Sequence, residues 1–262
     1  MMRFAECLLQ LFAQFLAFLG QVAALAGETL LSIGAGRIRP RLFLQQIAEI
    51  GYRSQLVVIV TGAFTGAVLT AQAFFQFDVL NMETAVGPVV ALSMFRELGP
   101  TLAGVMVAGR VGAAMTAEIG TMKVTQQIDA LRALAVNPVD YLVVPRALAM
   151  FVSMPFLVVE CAGFGILASY YVGVEVLGIP GAYFFANTQK FTESSDIFMS
   201  LVKGFFFAAI VVFISCREGL EAKNGAVGVG RATTATVVNC SLAILIVNFF
   251  LTMALNIVFP AG

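Results

Sequence analysis

Long apolar runs, rather than an alternation of apolar and polar positions, dominate the hydrophobic pattern of this chain. Five runs reach the roughly 20 apolar residues that a helix needs to cross a bilayer. Continuous runs are typical of membrane-spanning helices, whereas alternating runs are typical of the strands of membrane barrels. The sequence therefore predicts an all-α integral membrane protein with five spans, near residues 55–77, 86–112, 145–174, 197–216 and 233–258.

The first apolar stretch, residues 4–33, has a different pattern. Its polar side chains fall within about 40° of one line on a helix, and they are Arg3, Glu6, Gln10, Gln14, Gln21 and Glu28. One narrow polar stripe favours a helix that lies in the membrane interface; the alternative is a further span whose glutamines face neighbouring helices. We expect an N-terminal interfacial region over 1–54, which ends in a short amphipathic lead-in, and a transmembrane domain over 55–262.

Composition supports a membrane protein and narrows its chemistry. Hydrophobic residues make up 60% of the chain and charged residues only 11%, against about 25% charged in soluble domains. The formal net charge is zero, which gives no indication of nucleic-acid binding. The absence of histidine excludes Ser-His and Cys-His catalysis and His-ligated metals. No lysine follows a glycine as a phosphate-binding loop requires, so any ATP and magnesium must be bound by another subunit.

The distribution of lysine and arginine predicts the orientation, because cytoplasmic loops carry an excess of both. With the N-terminus inside, 12 of the 15 basic residues fall on the cytoplasmic side: Arg3, Arg37, Arg39, Arg41, Arg53, Arg110, Lys123, Arg132, Arg146, Arg217, Lys223 and Arg231. Arg96 and Lys203 lie within spans, and Lys190 alone lies outside. We therefore expect a cytoplasmic N-terminus and an outer C-terminus.

Arg96 and Glu97 lie near the middle of the second span. Charged groups at that depth need partners or a wet cavity. Pro100 follows closely, and it should kink the helix and free a carbonyl beside the charges. Two interpretations are open: a site that faces a ligand, or a self-contained ion pair that stabilises helix packing.

Other polar and aromatic residues in the spans extend this candidate site. Lys203 in the fourth span either reaches outward to Asp196, seven residues earlier, or presents a cation at the mouth of a cavity. Glu160 is a carboxylate within the third span, which we interpret as structural or coupling-related. Gln72 and Phe75 end the first span; phenylalanines at helical spacing are usually packing residues, but they also suit a cavity for acyl chains.

The segment from about 113 to 140 is too polar to cross a bilayer. Between Thr116 and Asp140, charged and amide side chains alternate with apolar ones, and Asn137-Pro138 closes the segment. Such a pattern predicts one or two amphipathic cytoplasmic helices. They either dock into a groove on a partner protein or lie at the membrane surface without one.

Small residues recur at a spacing of four in the spans. Gly62 and Gly66 form a GxxxG pair in the first span, a pattern that lets two helix backbones approach closely. We interpret it as packing within the chain rather than as a dimerisation motif.

Four motifs together resemble one family, the permeases of Mla-type (maintenance of lipid asymmetry) ABC transporters, MlaE and its plastid relatives. They are RELGP at 96–100, AGRVGAAMTAEIG at 108–120, VNP at 136–138 and GRATT at 230–234. The resemblance covers most of the chain from about residue 45. It implies a multi-pass protein of the bacterial inner membrane that moves phospholipid between that membrane and the periplasm or outer membrane, without being an enzyme itself.

The resemblance also implies partners and sites. Two copies pair around an outward-facing lipid cavity, with a ring of lipid-binding MCE domains outside and, in some systems, a STAS-domain protein on the ATPase. An ATPase dimer docks on residues 117–127, here through Ala117, Glu118, Gly120, Lys123 and Gln127. The cavity is lined or braced by Gln72, Phe75, Arg96, Glu97, Asp196 and Lys203. Phe74 departs from the family pattern, since some members are expected to have a tyrosine there.

Two functions from other classes are alternatives. A standalone secondary transporter or channel for an amphipathic solute would need no ATPase, but no internal repeat supports it. An intramembrane enzyme is disfavoured because histidine is absent and because none of the aspartates, Asp78, Asp129, Asp140 and Asp196, lies in the middle of a span.

Overall fold

The computed structural model describes residues 2–36, 39–80 and 82–259, and every regular element within them is a helix. Arg3 and Glu6 of the predicted stripe, and Arg37, lie outside the described side chains. Within the described ranges nine helices longer than one turn follow one another: α1 Met2–Gly34, α2 Pro40–Ile50, α3 Gln55–Asp78, α4 Glu83–Val124, α5 Gln127–Ala133, α6 Val139–Val176, α7 Gly181–Phe191, α8 Ser194–Leu220 and α9 Gly225–Val258.

Six helical segments are long and apolar enough to cross a membrane. Five of them contain the five predicted spans, which confirms an all-α membrane protein. The sixth is Leu16–Gly34 of α1, so length and composition alone do not separate an interfacial from a spanning α1.

The contacts of α1 lie at one level of the bundle. The Gln21 Oε1 atom accepts hydrogen bonds from Arg217 Nε at 3.0 Å and Nη2 at 2.6 Å, and Asn137 Nδ2 donates to Glu28 Oε1 at 3.1 Å. Arg217 and Asn137 are both at helix ends predicted to be cytoplasmic. The stripe residues therefore face the predicted cytoplasmic end, which favours a helix in the interface; that placement stays a prediction.

The helix α6 forms the centre of the bundle. In its most apolar stretch 72% of residues are buried, against 6% in α9. On one side α6 packs against α2 and α3, and on the other against α4 and α8. The helix α2 packs on the same core, and its Ile50 is fully buried there. The residues on the two sides of the predicted boundary at 54 therefore share one hydrophobic core. The division into two regions stays a prediction.

Glycines allow α3 and α6 to approach at backbone distance. A Cβ at Gly62 would overlap the carbonyl oxygen of Cys161, and one at Gly66 would overlap that of Gly165. The GxxxG pair therefore packs within the chain, which confirms the prediction.

The helix α4 continues without a break through the predicted end of the second span at 112. Residues Ala113–Val124 prolong it, and only then does Gln126, with a left-handed φ of 62°, turn the chain into α5. The segment predicted over 113–140 is thus divided between the end of α4 and the short helix α5, and its cytoplasmic placement stays a prediction. The change to polar side chains after residue 112 therefore does not end the helix.

Candidate functional site: a charge cluster within the spans

Two ion pairs join α4 to α8 at membrane depth. The Arg96 Nε atom lies 2.5 Å from Asp196 Oδ1, and Lys203 Nζ lies 2.9 Å from Glu97 Oε1. We call these four residues the charge cluster. Each cation faces one carboxylate, so the cluster is neutral as a whole, as burial requires.

This pairing differs from both pairings considered from the sequence. Arg96 and Glu97 do not form a self-contained pair, and Lys203 does not reach out to Asp196. Adjacent residues on a helix point about 100° apart, so Arg96 and Glu97 face different places on α8. Asp196 and Lys203 are seven residues, or about 10 Å, apart along α8. Asp196 therefore meets Arg96, and Lys203 meets Glu97.

Pro100 explains a further bond of Lys203. Its Nζ atom donates to the carbonyl oxygen of Arg96 at 2.5 Å. In an α-helix that carbonyl would accept from the residue four positions later, which is Pro100 and has no N–H. The segment Met94–Leu98 is correspondingly π-helical. The predicted release of a carbonyl beside the charges is confirmed.

The last span contributes two residues that sequence reasoning missed. Asn248 Nδ2 donates to Glu97 Oε2 at 2.8 Å, and Thr252 Oγ1 lies 2.8 Å from both Glu97 Oε1 and Lys203 Nζ. The two residues are four apart, and therefore lie on one face of α9. Two polar residues four positions apart in an otherwise apolar helix could have indicated from the sequence that this face of α9 contacts the charged residues.

Asp196 has a second role at the start of α8. Its Oδ2 atom accepts a hydrogen bond from the backbone N–H of Glu193 at 2.9 Å, as half of a capping box. The carboxylate is completely buried. Asp196 therefore holds both the helix terminus and the Arg96 guanidinium in place.

The charge cluster is partly exposed at its two α4 residues. Lys203 and Asp196 are fully buried, whereas the side chains of Arg96 and Glu97 are 20% and 38% exposed. Within the described part of the chain Arg96 bonds only through Nε, so its two terminal nitrogens have no partner there. A guanidinium edge with free donors is suited to an anionic oxygen.

Gln72 and Phe75 do not join the charge cluster within one chain. Both are exposed on the C-terminal half of α3, and α3 packs against α6 and α4 rather than α8. Phe74 instead packs inward, in the cluster that contains Met94 and Phe184. Glu160 is half-buried on α6, and no hydrogen bond or ion pair holds it among the described residues.

The predicted coupling residues divide between surface and interior. Glu118 is exposed and pairs with the buried Arg146 at 2.7 Å, Lys123 lies 3.6 Å from Asp129, and Gln127 is exposed. Gly120 is buried against Ala222 and Val229, and Ala117 packs against the same cluster. The charged members of the set therefore form a surface at the predicted cytoplasmic end.

Removing the Lys203 ammonium is expected to destabilise the protein. Lys203→Met leaves Glu97 with only Asn248 and Thr252. We expect a cost of about 2 kcal/mol, less than for a fully buried pair, because Glu97 is partly exposed. The measurement is the fraction of detergent-purified protein that stays monodisperse after heating. Lys190→Met on the exposed surface of α7 is the control and should leave the melting curve unchanged. Equal stability of both variants would mean that the α9 residues alone satisfy Glu97.

These features define a multi-pass helical membrane protein with a neutral charge cluster inside its spans. The family described as "Permease MlaE" matches residues 43–254 of the chain. A probable ABC transporter permease protein of Rickettsia conorii is 46% identical over 219 residues, which cover 82% of this chain and 85% of the relative. One from Synechocystis is 41% identical, covering 87% and 86%.

A chloroplast relative is also similar. The protein TRIGALACTOSYLDIACYLGLYCEROL 1 of Arabidopsis thaliana is 37% identical over 230 residues, 88% of this chain and 66% of the relative. The family match at 43–254 contains the first four predicted spans, most of the fifth and the charge cluster. The chain belongs to the MlaE permease family.

Proposed function

We propose that this chain is the membrane subunit of an ATP-driven transporter that moves phospholipid between the inner membrane and the periplasm or outer membrane. The names of its relatives, ABC transporter permeases and a chloroplast protein with the name of a galactolipid, support this class. The observation that carries the proposal is Arg96: a guanidinium within the spans, oriented by a buried carboxylate and open on its other edge.

The phosphate of a lipid fits the free edge of Arg96. Guanidinium donors bind phosphate oxygens bidentately, and the interaction strengthens where the dielectric constant is low. The acyl chains would lie against apolar walls, including Phe75. Asp196 keeps the guanidinium in one orientation, so the phosphate site is formed before the lipid arrives.

A second copy of the chain would complete the cavity. The outer half of α9 exposes large apolar side chains that find few partners in one protomer: Leu242, Leu245, Ile246, Phe249, Phe250 and Met253. The same helix supplies Asn248 and Thr252 to the charge cluster. Pairing through α9 would therefore put the charge clusters of two copies beside their shared interface, with Gln72 and Phe75 available to the cavity from the exposed side of α3.

The helix α4 would transmit the motion that ATP hydrolysis drives in the partner subunit. Arg96 and Glu118 lie on this one continuous helix, 22 residues and about 33 Å apart. An ATPase dimer that docks around Glu118 and Lys123, with ATP and magnesium bound in its own subunits, would move the charge cluster with it. With the N-terminus cytoplasmic and the C-terminus periplasmic, MCE-domain proteins would receive or deliver lipid at the outer end, and a STAS-domain protein would bind the ATPase.

Charge reversal at Glu118 should disrupt this coupling. Glu118→Lys places a cation beside the buried Arg146 and near Lys123, so the docking surface gains repulsion where it had an ion pair. We expect the ATPase to co-purify at less than about a tenth of the normal yield, since like charges brought together at an interface cost several kcal/mol. Glu83→Lys makes the same change at the outer end of α4 and should leave co-purification intact. Normal binding by the Glu118 variant would place the docking surface elsewhere.

Native mass spectrometry of the complex from mild detergent tests the proposal as a whole. Two copies of this chain, two ATPase subunits and co-purifying phospholipid are the expected masses. A lone subunit that transports solute in vesicles under an ion gradient, without nucleotide, would instead identify a secondary transporter.

A further inference from the structure

A second apolar cavity lies away from the charge cluster. It has a volume of about 770 Å³ and is bounded by α6, α7 and one residue of α4. Its walls include Phe95, Gly163, Leu167, Tyr170, Phe184 and Phe185. We call it the lateral groove. None of the four charge-cluster residues lines it, since Phe95 points about 100° away from Arg96 on the helix.

With the orientation predicted from the lysine and arginine distribution, the lateral groove lies at the depth of the outer leaflet. Phe95 is 12 residues, about 18 Å, from the outer end of α4, and Tyr170 is six residues, about 9 Å, from the outer end of α6. The groove therefore extends inward from the outer interface toward the bilayer centre, as an acyl chain does.

Packing of α7 keeps the groove open. Phe184 is buried, packs edge-on against Tyr170 with ring centroids 5.7 Å apart, and lies against Gly87 and Gly173, where a Cβ would crowd it. The helix α7, which forms one wall of the groove, is thus held against α4 and α6. A groove held open in this way does not have to be formed by its ligand.

One end of the groove contains a polar side chain that lacks a hydrogen-bond partner among the described residues. Thr188, Gln189 and Thr192 line that end, and the Thr192 hydroxyl is buried without a hydrogen-bond partner in the described part of the chain. A buried hydroxyl without a partner is costly.

We infer that the lateral groove binds one acyl chain of an outer-leaflet glycerophospholipid. The ester carbonyl would accept a hydrogen bond from the Thr192 hydroxyl. A helix with hydrocarbon side chains would leave the Thr192 hydroxyl without a hydrogen-bond partner, whereas a lipid ester carbonyl would accept its hydrogen bond. This lipid site does not depend on the proposed transport cycle.

Gly163 allows a test that fills the groove without disturbing the fold. Among the described residues no atom lies within 4 Å of a Cβ built at Gly163, so Gly163→Leu extends into free space. Gly27→Leu on α1 is the matched control, because it has the same free space and the same gain in helix propensity.

The experiment uses the complete complex in vesicles of phosphatidylethanolamine and phosphatidylglycerol with a trace of phosphatidylcholine that carries a diazirine on one acyl chain. After photolysis, labelled peptides are mapped by mass spectrometry. We expect labelling at Phe95, Leu167 and Phe185, a several-fold loss in Gly163→Leu and no loss in Gly27→Leu. Thr192→Val should lower labelling about two- to tenfold, as loss of one hydrogen bond predicts.

Two results would overturn the inference. Labelling spread evenly over exposed positions such as Phe156, and unaffected by Gly163→Leu, would mean that the groove holds only bulk lipid. A photoreactive residue placed at Leu167 that links to another polypeptide instead of lipid would mean that a partner subunit covers the groove.

Discussion

Replacing Arg96 with glutamine is expected to abolish phospholipid transport. The substitution removes the guanidinium edge that would hold the phosphate, and a charge-assisted hydrogen bond of this kind is worth about 1.5–3 kcal/mol. We therefore expect transport to fall at least about tenfold in vesicles that contain the complete complex and ATP, measured by transfer of a fluorescent phospholipid.

Loss of transport by Arg96→Gln alone could also result from misfolding, because the buried Asp196 would be left without its cation. Arg96→Gln should therefore also lower the melting temperature, since an unpaired buried carboxylate costs about 3–5 kcal/mol. The double variant Arg96→Gln/Asp196→Asn restores a neutral hydrogen bond and should recover stability. If Arg96 binds phosphate, the double variant still fails to transport; if it recovers transport, Arg96 only braces α8.

Replacing Gly66 with alanine is expected to prevent normal folding. The added Cβ would overlap the carbonyl oxygen of Gly165, and backbone cannot move aside as a flexible side chain can. The helices α3 and α6 would have to separate along their shared contact, at a cost of about 3 kcal/mol or more. Yield of monodisperse protein and its melting temperature are the measurements.

Gly163→Ala is the matched control for Gly66. It changes a glycine on α6, the same helix that Gly66 contacts, but its new Cβ meets no described atom within 4 Å. Helix propensity alone then favours alanine by up to about 1 kcal/mol, so this variant should be as stable as the parent protein or more so. Normal yield of Gly66→Ala would contradict the close α3–α6 approach.

Helix existence could be predicted from the sequence because hydropathy is a local property. The five spans, the mid-span charges and the carbonyl freed by Pro100 each depend on neighbouring residues, and the structure confirms them. Span ends were less predictable: polarity after residue 112 indicated a new element, yet α4 continues to Val124 because its apolar face packs on α8 and α9.

The partners of the charges were decided by tertiary structure. Arg96, Glu97, Asp196 and Lys203 were all identified as candidates, but which cation meets which carboxylate depends on the rotation and level of α8 beside α4. Asn248 and Thr252 had no signal beyond their spacing, because an isolated amide or hydroxyl in an apolar run has many possible neighbours.

The sequence by itself determined that this protein is helical, lies in a membrane, carries charges at depth and belongs with the permeases its motifs resemble. Only the tertiary structure decided that Gly62 and Gly66 pack against α6, that the charge cluster is neutral and open at Arg96, and that a separate groove lies beneath α7. The physical reason is the distance along the chain over which each interaction acts. Hydropathy and backbone chemistry act within a few residues, whereas ion pairs and cavities depend on helices about 100 residues apart in the chain.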